Sequence, residues 1–111
     1  MTRAQVATLS LPDLGMPDAM PEIPASLYQA RLERLRERAD ARHERLVVYA
    51  DREHSANLAY LTGFDPRFEE ALLVVGPNRD PAILVGNECY GMAGAAPLRM
   101  RRHLFQDLSL P

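Results

Sequence analysis

The sequence predicts an α/β domain, with a mixed β-sheet and flanking helices. Three observations indicate this fold class. A charged segment with a helical apolar stripe is followed by three short apolar runs, and a stretch of turn-forming residues separates the last two of these runs. The 111 residues suffice for a single hydrophobic core. Contents of 47% hydrophobic and 25% charged residues are typical of a globular domain and exclude a wholly disordered chain.

The N-terminal segment differs in composition from the rest of the chain. Pro12, Pro17, Pro21 and other breakers interrupt every helical or strand period there. We therefore expect residues 1–23 to be a Pro-rich arm, either mobile or laid along the domain as a strap. Residues 24–111 are expected to form the domain.

The first helix is predicted to begin at Ser26, which forms a capping-box pattern with Gln29. An apolar stripe at helical spacing follows, and it predicts packing against a core. Its members are Tyr28, Leu32, Leu35 and Ala39.

The charges of this helix are mixed in sign. Glu33 with Arg36, and Arg34 with Glu37, have the spacing of helical ion pairs. All 13 basic residues are arginine, yet the net charge is −2. Because glutamates on the same helix would repel phosphates, the pattern favours a solvated face over nucleic-acid binding.

Three continuous apolar runs predict strands that are covered on both faces: Leu46–Ala50, Ala71–Val75 and Ala82–Val85. The second and third runs are expected to pair as an antiparallel hairpin, because Gly76–Pro81 between them is dense in turn formers.

Two further helices are predicted between and after these strands. Asp51 can cap a short helix that Gly63 ends through a left-handed backbone conformation. Asn87–Ala96, rich in small residues, is expected to form an irregular helix, and a basic cluster follows it at Arg99–His103 without a predicted element.

The chain does not contain a recognisable active site of its own. Cys89 is the only cysteine, which excludes an internal disulfide, and its neighbours do not match a nucleophile turn. The three histidines are scattered, and Glu69 and Glu70 would point to opposite faces of a strand. We expect no catalytic residue and no metal ligand in this chain, and a small hydrolase that uses Cys89 is a minor alternative.

The segment Asn57-Leu58-Ala59-Tyr60-Leu61-Thr62-Gly63-Phe64 resembles a signature of the N-terminal domain of the creatinase, prolidase and aminopeptidase P family. The resemblance covers about residues 24–105 and includes the order of the neighbouring helix, strand and hairpin. It implies a ribonuclease H-like fold in which the signature is structural. Its expected structural residues are Asn57, Tyr60, Leu61, Thr62 and Gly63.

The same resemblance implies that the chain is truncated before a C-terminal catalytic domain. In that family, such a domain binds two divalent metals, manganese, cobalt or zinc, through two aspartates, one histidine and two glutamates. The N-terminal domain contributes to dimer or tetramer contacts, and its loops partly wall the active site of a neighbouring subunit. The candidates for such a substrate wall are Phe64, Arg67, Phe68 and Tyr90, with core packing favoured for Phe64 and Tyr90.

The function expected from these observations is that of a non-catalytic N-terminal domain of an Xaa-Pro peptidase. The alternatives are a stand-alone interaction module without hydrolase activity and the N-terminal domain of a creatinase-type amidinohydrolase. We expect a homo-oligomer, and neither nucleic acid nor a membrane as partner. Since no apolar run approaches the roughly 18 residues of a membrane span, the cytoplasm is the default location.

Overall fold

The computed structural model describes residues 2–39 and 42–110, and it confirms the α/β class with a mixed sheet. Three α-helices and four strands lie in the described ranges, in the order helix, strand, helix, strand, strand, helix, strand. Their bounds are α1 Ala25–Arg38, β1 Leu46–Ala50, α2 Ala56–Thr62, β2 Ala71–Val75, β3 Ala82–Val85, α3 Asn87–Gly94 and β4 Arg101–Leu104. A short 3-10 helix, Gln106–Leu108, follows β4.

The residues before α1 lie outside all of these elements. Residues 2–24 are exposed, and apolar side chains such as Val6 and Leu14 remain in solvent along with the rest of the segment. In this structure the segment therefore remains in solvent and is not packed on the core as a strap.

Helix α1 begins two residues earlier than the capping box predicts, with Pro24 rather than Ser26 at the N-cap. Pro24 precedes the helix with φ −66° and ψ 149°, and its carbonyl accepts a hydrogen bond from the Leu27 amide at 3.0 Å. Ser26 lies inside the first turn, and no side chain caps this end. The predicted capping box is wrong because Pro24, whose ring fixes φ, already occupies the boundary position.

The predicted apolar stripe of α1 does face the core. Tyr28 and Leu32 are buried, and Leu35 is partly buried against the same cluster. Ala39 ends the helix, where its amide donates to the Leu35 carbonyl at 3.0 Å. This stripe fixes the rotation of α1 and so determines where its charged residues point.

The sheet has the strand order β1-β2-β3-β4. Strands β1, β2 and β3 are antiparallel neighbours, which confirms the hairpin, whereas β4 pairs parallel to β3. The sequence pattern predicts no strand at β4, because three of its four residues are arginine or histidine. In the structure all four residues are exposed. It is held at the edge by backbone pairing, including the Arg101 amide to the Pro81 carbonyl at 2.9 Å.

The helices cover one face of the sheet, which we call the inner face. Leu73, Ile83 and Val85 are fully buried there in one cluster with side chains from all three helices. On the opposite, outer face, Val47 is 61% exposed and Tyr49 is 46% exposed. The expectation that β1 is covered on both faces is therefore wrong, since no described segment packs over these two residues.

The turn after β1 differs from the predicted cap. The Asp51 carboxylate accepts hydrogen bonds from the amides of Glu53 and His54 at 2.9 and 2.7 Å, so it stabilises a turn that precedes α2. Ser55 stands at the start of α2, without a side-chain hydrogen bond to the helix. Asp51 lies too far back along the chain to cap α2 itself.

Helix α2 ends as the sequence predicts. Gly63 has φ 74° and ψ 9°, and its amide donates to the Ala59 carbonyl at 2.8 Å. The hydroxyl of Thr62 donates to the Leu58 carbonyl at 2.7 Å and accepts from the Phe64 amide at 3.0 Å. These bonds turn the chain sharply from α2 into the loop before β2.

Among the described residues, none of the helices has both the length and the apolar character needed to cross a bilayer.

Replacement of Gly63 by alanine should destabilise the domain by about 2 kcal/mol or more, because a side chain there combines positive φ with a steric clash. A Cβ at Gly63 would lie 2.5 Å from Cγ of Pro97 and 3.0 Å from Cζ of Tyr28. Gly91→Ala is the matched control, since a Cβ there meets nothing within 4 Å and alanine favours the helix. Urea denaturation measures both, and equal stability of the two variants would contradict the strained-turn account.

Candidate functional site

The loop between α2 and β2, residues 64–70, carries three of the four candidate wall residues. Two shallow surface hollows adjoin it. One, of about 370 Å³, is lined by Phe64, Arg67 and Met92 with smaller neighbours. The other, of about 410 Å³, is lined by Arg52, Asp65, Arg67 and Phe68. Asp65 and Arg67 line both hollows.

Arg67 stands in an unusual backbone conformation. Its φ is 60°, in the left-handed region that a side chain disfavours, and it is the only non-glycine residue with positive φ in the described ranges. The Asp65 carboxylate holds the turn by accepting from the Arg67 amide at 2.8 Å. The guanidinium is exposed and has no hydrogen-bond or ion-pair partner among the described residues, so it is free to meet a ligand.

The two phenylalanines of the loop occupy different environments. Phe64 is 4% exposed and belongs to the core cluster, whereas Phe68 is 50% exposed. The preference for Phe64 as a core residue agrees with its burial. Phe68 is therefore the aromatic side chain that can present an apolar surface beside Arg67.

Tyr90 lies apart from both hollows. It is 38% exposed on α3, so its expected place in the core is wrong. The Arg102 guanidinium stacks over its ring, 4.7 Å from the centroid, and donates to the Tyr90 carbonyl at 3.0 Å. This stacking joins α3 to β4 and keeps the ring at the surface.

The residues of the octapeptide divide into buried and exposed members. Leu61 and Thr62 are buried, but Tyr60 is 53% exposed beneath the Arg31 guanidinium, 4.1 Å from the ring centroid. Asn57 is exposed as well. The docking of α2 on the sheet therefore depends on Leu61 and its buried neighbours, and Tyr60 and Asn57 are available on the surface.

A buried carboxylate ties the loop to α3. Glu69 is 2% exposed, and its oxygens accept from the Cys89 amide at 3.0 Å and from the Glu88 amide at 3.4 Å, at the N-terminus of α3. Glu70 beside it is exposed, and both residues lie in the loop before β2 rather than in a strand as expected. The role of Glu69 has no local sequence signal, because its partners lie about 20 residues away in the chain.

The electrostatics of this pair of glutamates follow from these contacts. Burial raises the pKa of Glu69, but hydrogen bonds from Glu88 and Cys89 outweigh it and hold the pKa below its usual value. The pKa of Glu88 is raised, mainly because its side chain bonds to the Glu69 carboxylate. The charged form of Glu69 is thus favoured, chiefly by the side-chain hydrogen bonds of Glu88 and Cys89, and the two amides at the start of α3 add to this effect.

Cys89 is a packing residue in this arrangement. Its side chain is fully buried, and its thiol donates to the Pro66 carbonyl at 3.0 Å. Burial, followed by the nearby Glu69 carboxylate, raises the pKa of the thiol to about 12. Since the thiolate is the nucleophilic form, this environment does not suit a catalytic cysteine.

No group of three or more histidine, cysteine, aspartate or glutamate side chains suited to a metal is present in residues 2–39 and 42–110. His54 and Asp51 form only a pair, with Nδ1 and Oδ1 2.9 Å apart. The arrangement around Arg67 can bind a carboxylate or another anion, but it does not bring together an acid, a base and a nucleophile.

No known family model and no curated protein matches the chain.

Replacing Glu69 by glutamine should lower stability near neutral pH by about 2 kcal/mol, because hydrogen bonds to a buried charge are replaced by weaker neutral ones. Folding lowers the pKa of Glu69, so its carboxylate stabilises the fold at pH values above the pKa that Glu69 has in the unfolded chain. This contribution is lost as the pH falls through the pKa that Glu69 has in the folded protein. The wild-type protein should therefore lose stability below about pH 4.5, with a smaller loss for Glu69→Gln.

Urea denaturation between pH 7 and pH 3 measures these differences. Glu70→Gln is the control for loss of a charge at the neighbouring exposed position. A Glu88→Gln background removes the opposite titration of Glu88. The comparison is between Glu88→Gln and the double variant Glu69→Gln/Glu88→Gln. If their free energies of unfolding change with pH in parallel, the stabilising role of charged Glu69 is contradicted.

Proposed function

We propose that this chain is a non-catalytic N-terminal domain of a metal-dependent Xaa-Pro peptidase, similar to prolidase and aminopeptidase P. The observation that carries the proposal is the octapeptide, in which α2 ends at the left-handed Gly63 and directs the following loop to the surface. That loop exposes Arg67 and Phe68 beside each other. In this role the loop walls the active site of a neighbouring subunit.

The side chains of the second hollow suit the end of a short peptide. Arg67 and Arg52 line it with Phe68 and Asp65, and the Asp65 carboxylate accepts from the Arg67 amide, so the hollow offers two guanidinium groups and an exposed phenyl ring beside one carboxylate. A guanidinium binds a carboxylate through two parallel hydrogen bonds, and the ring can cover an apolar side chain such as proline. Under the proposal, Arg67 orients the substrate carboxylate and contributes nothing to bond cleavage.

The metal chemistry belongs to another domain under this proposal. Two divalent metals, manganese, cobalt or zinc, would supply an activated hydroxide there. In the described part of this chain, no set of side chains is assembled to hold either of them. The proposed contribution of this domain is therefore positioning and the exclusion of water.

The outer face of the sheet supports a part in oligomerisation. Val47 and Tyr49 are exposed on β1, and Leu72, Val74 and Leu84 continue the same face on β2 and β3. An apolar sheet face in solvent is typical of a surface that another element or subunit covers. We propose that a second copy of the protein covers it.

Two alternatives remain consistent with these features. A stand-alone interaction module would use the same outer face without a catalytic domain, and a creatinase-type amidinohydrolase would use the same loop toward a different substrate. Coding sequence that continues into two aspartates, one histidine and two glutamates would favour the enzyme over the module. Comparison of proline dipeptides with creatine as substrates then separates the two enzymes.

Arg67→Ala, in the enzyme that contains this domain, should raise KM for a substrate with a free carboxylate by about tenfold, the effect of one charge-assisted hydrogen bond. We expect kcat and the melting temperature to change little, because the guanidinium is exposed. Steady-state kinetics measures this, with Arg79→Ala in the hairpin turn as a control. An unchanged KM would contradict the proposed role of the loop.

Val47→Asp should weaken self-association, because it places a charge on the proposed apolar interface. Sedimentation velocity across a concentration series measures this. Leu27→Asp is the control, since it puts the same charge on an exposed apolar position in the first turn of α1, where acidic residues are tolerated. The same association constant for wild type and Val47→Asp would refute the outer face as the interface.

A further inference from the structure

A cleft of about 380 Å³ opens between α1, α2 and β1, on a different surface from the loop 64–70. Three arginines of α1 line it, and an apolar floor lies beneath them. None of the described lining residues is acidic. The lining residues are Arg31, Arg34, Leu35, Arg38, Val48, Asn57, Tyr60 and Leu61, and we call this site the arginine cleft.

The mixed charges of α1 are sorted by the rotation of the helix. Glu33 forms an ion pair with Arg36 and lines another hollow, and Glu37 also lies away from the cleft. The predicted pair of Arg34 with Glu37 does not form among the described residues. Helix α1 carries four arginines and two glutamates, and its rotation presents only arginines among these charges to the cleft.

One guanidinium of the stripe is already fixed in place. Arg31 donates to the Tyr60 carbonyl at 2.8 Å and stacks over the rings of Tyr60 and Tyr28, at 4.1 and 5.2 Å from their centroids. Arg34 and Arg38 have no hydrogen-bond or ion-pair partner in the described part of the chain. Because they are four residues apart on a helix, their like charges repel each other when nothing binds between them.

We propose that the arginine cleft binds a small organic phosphate, in which a phosphate dianion is attached to an apolar, ring-bearing body. The planar guanidinium matches phosphate oxygens through paired hydrogen bonds, and Arg34 and Arg38 together offset two negative charges. The floor of Leu35, Val48 and Leu61 covers the body of the ligand. The volume lies within the range of small-molecule sites.

This ligand class fits the cleft better than a simple carboxylate does. A monocarboxylate offsets one guanidinium and leaves the repulsion at the other. Inorganic phosphate satisfies the charges but leaves the apolar floor in water. The affinities of the full chain should therefore fall in the order phenyl phosphate, inorganic phosphate, benzoate.

Calorimetric titration of the full chain with these three probes tests the proposal, and NMR of the arginine Nε–Hε groups locates the binding. Arg34→Gln and Arg38→Gln should each weaken phenyl phosphate binding by about tenfold or more, the effect of losing a charge-assisted hydrogen bond. Arg79→Gln, on the hairpin turn, should leave the affinity unchanged. Arg34→Gln should also melt at the same or a slightly higher temperature, because it removes the repulsion with Arg38 and leaves the favourable basic residues in the last turn of α1.

Binding and melting measured on the same variant separate loss of a ligand contact from loss of folding. A variant that binds less tightly while melting no earlier has lost a ligand contact. The proposal is overturned if Arg34→Gln and Arg38→Gln bind phenyl phosphate as the wild type does. It is also overturned if phenyl phosphate binds no better than inorganic phosphate, or if the shifts are confined to the arginines of β4.

Discussion

The hydrogen bonds between the buried Glu69 carboxylate and the start of α3 hold the loop 64–70 and α3 in one arrangement. They join the amides of Glu88 and Cys89 to the segment that leads into β2. The Cys89 thiol adds a bond to Pro66 in the same loop. With its two ends held by Gly63 and Glu69, the loop keeps Arg67 in its left-handed conformation at the surface.

The sheet is covered by helices on one face only, and this asymmetry connects the fold to the proposed function. Its inner residues, such as Leu73 and Ile83, are fully buried, while Val47 and Tyr49 remain in solvent. The apolar character of β1 on both faces is unexplained by contacts among the described residues. The proposed second copy of the protein over the outer face would account for it.

Much of the fold could be predicted from local sequence. The stripe of α1, the hairpin and the end of α2 at Gly63 each depend on spacing or on one residue's backbone freedom. Strand β4 could not be predicted in this way, because its four exposed residues are held by backbone pairing to β3 and carry no apolar alternation. The predicted start of α1 is wrong because serine is a common N-cap residue type, whereas Pro24 is the residue with the N-cap backbone conformation.

The candidate site was predictable to a smaller extent. The resemblance predicts Arg67 as a candidate wall residue. In the structure Arg52 lines the same hollow, and no local sequence pattern connects the two arginines. The structural role of Glu69 could not be predicted, because its hydrogen-bond partners are distant in sequence. The arginine cleft could not be predicted, because the side on which each charge lies depends on how α1 packs, and two glutamates are interspersed among its four arginines.

Under the proposed function, this chain is a scaffold whose chemistry resides in another domain. The most direct measurement is turnover by the purified 111-residue chain, supplied with manganese, with an Xaa-Pro dipeptide or creatine as substrate. We expect no hydrolysis above the rate in buffer. A reproducible rate that follows the concentration of the chain would contradict the account.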